Sequence, residues 1–182
     1  TDLQLISETN GWVISQGRFL WTADGGTTWI DRSPAELQGV VRAAAFLDPS
    51  NGWLVGSSLP DAEGRSLLSV GKTNDGGITW QLQPLQAFNP IEPGSTQGAV
   101  QLTFADANTG YMQIKLASSS NFDLYALLKS TDGGTTWQEI VVPNSSPVHV
   151  ADANTLWTVA TTLDAPMQRS TDGGVTWDLA DA

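Results

Sequence analysis

The chain has 182 residues, of which 40% are hydrophobic and 15% charged, which is room for a core and too apolar for a disordered chain. Eight Lys and Arg against 19 Asp and Glu leave a formal net charge of -11. That excludes the basic footprint a nucleic-acid binder needs and argues against an anionic membrane surface. The absence of Cys removes disulfides, thiolate zinc sites and cysteine nucleophiles together.

Taken in chain order, the predicted elements fall into repeats. Asn10-Gly11 precedes the β-prone run Trp12-Val13-Ile14, a hairpin signal, and Thr22-Ala23-Asp24-Gly25-Gly26-Thr27-Thr28-Trp29 follows. Pro34 to Leu37 predicts one helical turn, and Val40 to Leu47 is an apolar run without clean alternation. Asn51-Gly52-Trp53 repeats the first signal, and Thr73-Asn74-Asp75-Gly76-Gly77-Ile78-Thr79-Trp80 repeats the second. After the long linker Leu85 to Gly98, strands are predicted near Val100 to Phe104, Gly110 to Leu116, Leu124 to Lys129 and Thr136 to Val141. Asn108-Thr109-Gly110-Tyr111 and Ser130-Thr131-Asp132-Gly133-Gly134-Thr135-Thr136-Trp137 carry the same two signals there. His149 sits in an apolar run expected to be an innermost strand. Asn154-Thr155-Leu156-Trp157 and Ser170-Thr171-Asp172-Gly173-Gly174-Val175-Thr176-Trp177 close the series.

The shared pattern is [ST]-x-D-G-G-x-T-W, recurring at roughly 40–57 residues. Each unit reads as four antiparallel strands, so the expected fold is an all-β propeller of four blades, about 1–33, 39–86, 98–143 and 147–180. No strand is left over for a mixed closing blade. A closed four-bladed ring, an arc of a larger propeller and two self-pairing chains all remain open. The chain begins Thr1-Asp2-Leu3, without an initiator Met or a signal peptide, as expected of a processed chain or of a segment of a longer one.

These four boxes resemble the Asp-box (BNR) repeat of sialidases, sortilin-type receptors, some glycoside hydrolases and the photosystem II stability/assembly factor-like family. The Asn-Gly-Trp plus Asp-Gly-Gly-x-Thr-Trp combination looks most like the last of these. The box residues Asp24, Gly26, Trp29, Asp75, Gly77, Trp80, Asp132, Gly134, Trp137, Asp172, Gly174 and Trp177 are expected to be structural. The Asp accepts backbone N–H groups in a tight turn, the glycines supply positive φ, and the Trp buries its ring against the sheet.

Up-and-down connectivity puts the stereotyped turns on one face and the variable loops on the other, where binding is expected. Candidate partner-binding residues there are Arg18, Arg32, Arg65, Phe88, Phe122 and Tyr125, with Glu92, Asp123 and Asp164 beside them. Sialidase chemistry is disfavoured, because there is no R-I-P motif and only Tyr111 and Tyr125 could act as nucleophile. With one histidine, a histidine-rich metal site is excluded. No catalytic residue, metal or cofactor is therefore expected. The resemblance implies a non-enzymatic scaffold outside the cytoplasm, binding another protein or a membrane-associated complex, with self-association open. The alternative is a glycan-binding or glycoside-hydrolase module, which would use a carboxylate pair.

Overall fold

The computed structural model describes residues 2–37, 40–86, 99–116, 124–158 and 166–180. They form four four-stranded antiparallel sheets, each with its strands in sequence order and no crossover. The first holds β1 (Asp2–Leu5), β2 (Gly11–Ser15), β3 (Arg18–Thr22) and β4 (Ile30–Asp31). The second holds β5 (Val40–Phe46), β6 (Gly52–Ser57), β7 (Leu68–Thr73) and β8 (Gln81–Pro84). The third holds β9 (Val100–Phe104), β10 (Gly110–Leu116), β11 (Leu124–Ser130) and β12 (Gln138–Ile140). The fourth holds β13 (Val148–Val150), β14 (Leu156–Thr158), β15 (Gln168–Ser170) and β16 (Asp178–Leu179). These are the blades of an all-β propeller fold. The predicted helical turn is a single 3-10 turn, Ala35–Leu37.

The chain divides into two compact units, Thr1–Gly94 and Ser95–Ala182, each holding two blades. Every residue of β6 is buried, and so are the first five of β10. A strand covered on both faces has no reason to alternate, which accounts for the continuous apolar runs. In the first unit the core between blades is aromatic: Trp12, Phe19, Trp21 and Phe46 are buried together with Leu37 and Leu54. Phe19 stacks on Phe46 at 5.6 Å between ring centroids, and Trp80 meets both rings edge-on. The second unit has a smaller core of Tyr111, Leu127, Val142 and Leu156, with Ile140, Val150 and Trp177 packed against it.

The Asn-Gly signal marks a hairpin, but not through a two-residue turn. Gly11, Gly52 and Gly110 are the first residues of their strands, paired with Leu5, Phe46 and Phe104. A Cβ on Gly110 would lie 2.6 Å from the Phe104 ring, and one on Gly52 would overlap the Phe46 ring. The glycine makes room for the cross-strand side chain. The fourth blade has no Phe at this place and no Gly either: Val150 faces Leu156.

The turn itself is closed by an acceptor three residues before the strand-entering Asn or Thr. Asp48 Oδ1 accepts from the Ser50 and Asn51 N–H groups at 2.7 and 2.9 Å. Asp106 does the same with Asn108 and Thr109, and Asp152 with Asn154 and Thr155. In the first blade the Ser7 hydroxyl takes that place, accepting from Thr9 and Asn10.

Candidate functional site

Each Asp box joins the third and fourth strands of its blade. In the second blade, Asp75 Oδ1 accepts the Thr79 N–H at 2.9 Å and Oδ2 accepts the Thr79 hydroxyl at 2.6 Å. The Thr73 hydroxyl donates to Oδ1 at 2.8 Å and accepts the Gly77 N–H at 2.9 Å. That double use explains why the first box position is Ser or Thr. Gly76 and Gly77 hold φ of 72° and 82°, open to glycine at low cost. Asp24, Asp132 and Asp172 repeat the clamp through Thr28, Thr136 and Thr176. Hydrogen bonds from the threonine favour the ionised carboxylate. They bring Asp75 and Asp132 down to about 2, and hold Asp24 and Asp172 below the ordinary 3.8.

The box is also stitched to the other hairpin of its blade. Gly25 N–H donates to the Thr9 carbonyl, Gly76 to Ser50, Gly133 to Asn108 and Gly173 to Asn154, at 2.8–2.9 Å. The two sequence repeats are thus one structural turn pair. The box tryptophans are not buried as expected: Trp29 is 37% exposed and Trp80, Trp137 and Trp177 are half-buried. In three of them the indole N–H reaches a backbone acceptor. Trp80 donates to Arg32 O at 2.8 Å and Trp177 to Val141 O at 3.2 Å, each in the preceding blade. Trp137 donates to Gly134 O within its own box.

The expected binding residues separate. Arg32 faces inward: its guanidinium donates to Gly76 O at 2.6 Å and lies over the Trp21 ring. It holds two blades together and is removed from the binding set. Arg65 closes a loop on Asp61 and Glu63 at 2.9 and 3.0 Å. Tyr125 is half-buried in β11 opposite Lys115. Phe88, Glu92, Phe122, Asp123 and Asp164 lie outside the described residues.

Arg18 lines a concavity of about 410 Å³ in the first unit, with Asp31, Ser33, Pro34, Leu37 and Val41. The tight β2–β3 turn, with Gln16 and Gly17 at φ of 53° and 76°, places Arg18 at its rim. Arg18 Nε pairs with Asp31 Oδ2 at 3.3 Å and stays largely exposed. Ser33 bridges inward, its N–H donating to Asp31 Oδ1 and its hydroxyl accepting the Phe19 N–H. Burial would raise Asp31, but the Ser33 hydrogen bonds and Arg18 outweigh it and keep the carboxyl below 3.8. The site therefore offers an ionised carboxylate, a solvent-facing guanidinium and apolar walls. It can bind hydroxyl groups, but Asp31 cannot supply a proton at neutral pH.

A second cation pattern escaped the sequence reading. Lys72 lies over Trp53, Lys129 over Tyr111 and Arg169 over Trp157, at 5.1–5.5 Å. Each cation stands one residue before the box Ser or Thr and pairs across strands with the aromatic. The signal was present as [KR]-[ST]-x-D-G-G in three of four copies.

Compared with known proteins, residues 3–164 match the BNR repeat-like domain, and residues 168–179 match the BNR/Asp-box repeat. The chain belongs to the BNR repeat-like domain family. No curated protein matches this BNR chain. Among solved structures it is similar to the GH74 enzyme of Niastella koreensis, with a TM-score of 0.56 and 17% identity over 94% of this chain and 28% of that one. It is also similar to an ancestral GH74 enzyme, with a TM-score of 0.60 and 15% identity over 98% of this chain and 25% of that one. The BNR chain thus spans about a quarter of the length of each. The expected non-enzymatic scaffold is corrected by these matches, because both structural relatives are enzymes of the glycoside-hydrolase type. The finer resemblance to photosystem II assembly factors also drops out, since the matched family carries no such specificity.

Proposed function

We propose that this chain is part of an extracytoplasmic glycoside hydrolase, supplying propeller blades that bind a neutral polysaccharide. The likeness to two GH74 enzymes along nearly its whole length carries the reading. Charge supports it, because a surface of net charge -11 repels polyanions and leaves neutral sugars indifferent. The Arg18–Asp31 concavity suits sugar hydroxyls, with one charged acceptor and one charged donor 3.3 Å apart.

Hydrolysis of a glycosidic bond needs a carboxyl group with a raised pKa to protonate the leaving oxygen. Every described aspartate whose pKa departs from 3.8 is lowered. In this reading the first unit's concavity binds, through an Asp31 that is ionised and has no proton to give at neutral pH. The test is affinity electrophoresis in gels containing soluble neutral glucans or polygalacturonate, with release of reducing ends measured on the longest natural chain that contains this sequence. Retardation by a neutral glucan alone, weakened by Arg18→Ala, is the expected result. If no neutral polysaccharide is bound and none is cleaved, the proposal fails.

A further inference from the structure

The second unit contains a cavity of about 260 Å³ where blade three meets blade four. Antiparallel pairing sets Gln113 beside Gln101 and Leu127, and Tyr111 beside Thr103. Directly paired residues share a face, so all five stand on one side of blade three. Strand β13 forms the opposite wall through Val148, His149 and Val150.

Gln113 is the key residue. It is 5% exposed, and its Oε1 accepts the Val148 N–H at 3.3 Å. That donor fixes the amide orientation, because the flipped amide would set N–H against N–H. Among the described residues, Nε2 is then left buried with no partner. A buried donor without an acceptor is costly. The first unit uses the same device without that cost. There Gln4 Oε1 accepts from Trp12 Nε1 and Phe46 N–H, and its Nε2 donates to Phe46 O.

The described lining contains no Asp, Glu, Lys or Arg, so an ionic ligand finds no carboxylate, ammonium or guanidinium there to pair with. It offers neutral polar groups from Gln101, Thr103 and Gln113 against apolar walls from Tyr111, Leu127 and the two valines. The Tyr111 hydroxyl is already spent on the Ala153 and Gly173 carbonyls, so only its ring serves the cavity. Pockets for drug-sized ligands run from about 300 Å³ upward, which makes this one the size for a single small ring.

We propose that the cavity between blades three and four binds one small neutral polyhydroxyl molecule, a pyranose ring or a shorter polyol, with a hydroxyl accepting from Gln113 Nε2. The inference does not depend on hydrolysis, and it concerns a site in the other unit from the Arg18–Asp31 concavity.

The test is a titration of the ¹⁵N-labelled chain with D-glucose, D-xylose and glycerol, followed by NMR. The expected result is a saturable shift of the Gln113 side-chain NH₂ and of the His149 amide with at least one probe. Gln113→Met should weaken that binding about fivefold, the loss of one neutral hydrogen bond, with unchanged far-UV circular dichroism. If that variant does not fold, Thr103→Val on the open wall replaces it, with the same expected direction. The proposal is overturned if no probe shifts these signals saturably. It is also overturned if the shifts survive the folded variant unchanged. Shifts confined to Arg18, Asp31 and Ser33 would overturn it while supporting the proposed polysaccharide site.

Discussion

Asp75 accepts three hydrogen bonds within four residues of chain, and its carboxyl stands at about 2 against an ordinary 3.8. A carboxylate with a lower pKa folded than unfolded binds fewer protons in the native state. Its stabilisation is therefore complete above about pH 4 and is lost as pH falls through about 2. Four boxes share this behaviour. We expect tryptophan fluorescence and circular dichroism to stay flat from neutral pH to about pH 5, and unfolding to set in below about pH 4. A chain equally stable at pH 7 and pH 2 would contradict the clamp. Gly77 provides a second residue-level test. At φ of 82°, a Cβ there would sit 3.0 Å from the Trp80 ring and 3.1 Å from Phe19. Gly77→Ala should cost about 1–3 kcal/mol, read as a lower Tm.

Between one strand and the next, the informative unit is the pair. Phe104 and Gly110 fill one space in blade three, and Val150 and Leu156 fill the same space in blade four. Gly110→Leu alone should overpack by about 1–3 kcal/mol, and Phe104→Val alone should leave a cavity. The double variant should be less destabilised than the sum of the two, and strict additivity in a double-mutant cycle would remove the compensation argument. Arg32 is the other element-level case. Its bond to Gly76 O ties the end of β4 to the next blade's box. Arg32→Met should lower Tm by several degrees and leave polysaccharide retardation unchanged, whereas Arg18→Ala should do the reverse. The four strands per blade and the box position were legible because a repeated turn motif specifies local geometry wherever it appears. The turn acceptors Asp48, Asp106 and Asp152 were equally visible, three places upstream, but hid among nineteen acids. The inward role of Arg32 was not visible, because which blade a side chain leans toward is a matter of packing across elements. Nor was the Gln113 cavity, since its meaning rests on a partner left out rather than on a motif.

Over the whole molecule, acidic residues outnumber basic ones by 19 to eight. Of eight basic residues, Arg32, Lys72, Lys129 and Arg169 lie over aromatic rings, and Arg18 and Arg65 pair with acids. Lys72, Arg169 and Arg18 remain exposed all the same, so the excess of carboxylates that solvent meets is the one the sequence counts. Added salt screens their mutual repulsion, so Tm should rise modestly from low to physiological salt, while affinity for a neutral glucan should change less than about twofold. A steep fall of that affinity with salt would mean the bound chain is charged. One further consequence lies in the strand order. Within each blade, every strand pairs only with its neighbours in sequence, and every box amide reaches back to a hairpin of its own blade. Each sheet therefore forms from strands adjacent in the chain, while the packing between blades joins more distant residues such as Phe19 and Phe46. During synthesis, a blade's strands can pair as soon as the fourth clears the ribosome, but its apolar face stays uncovered until the next blade has been translated.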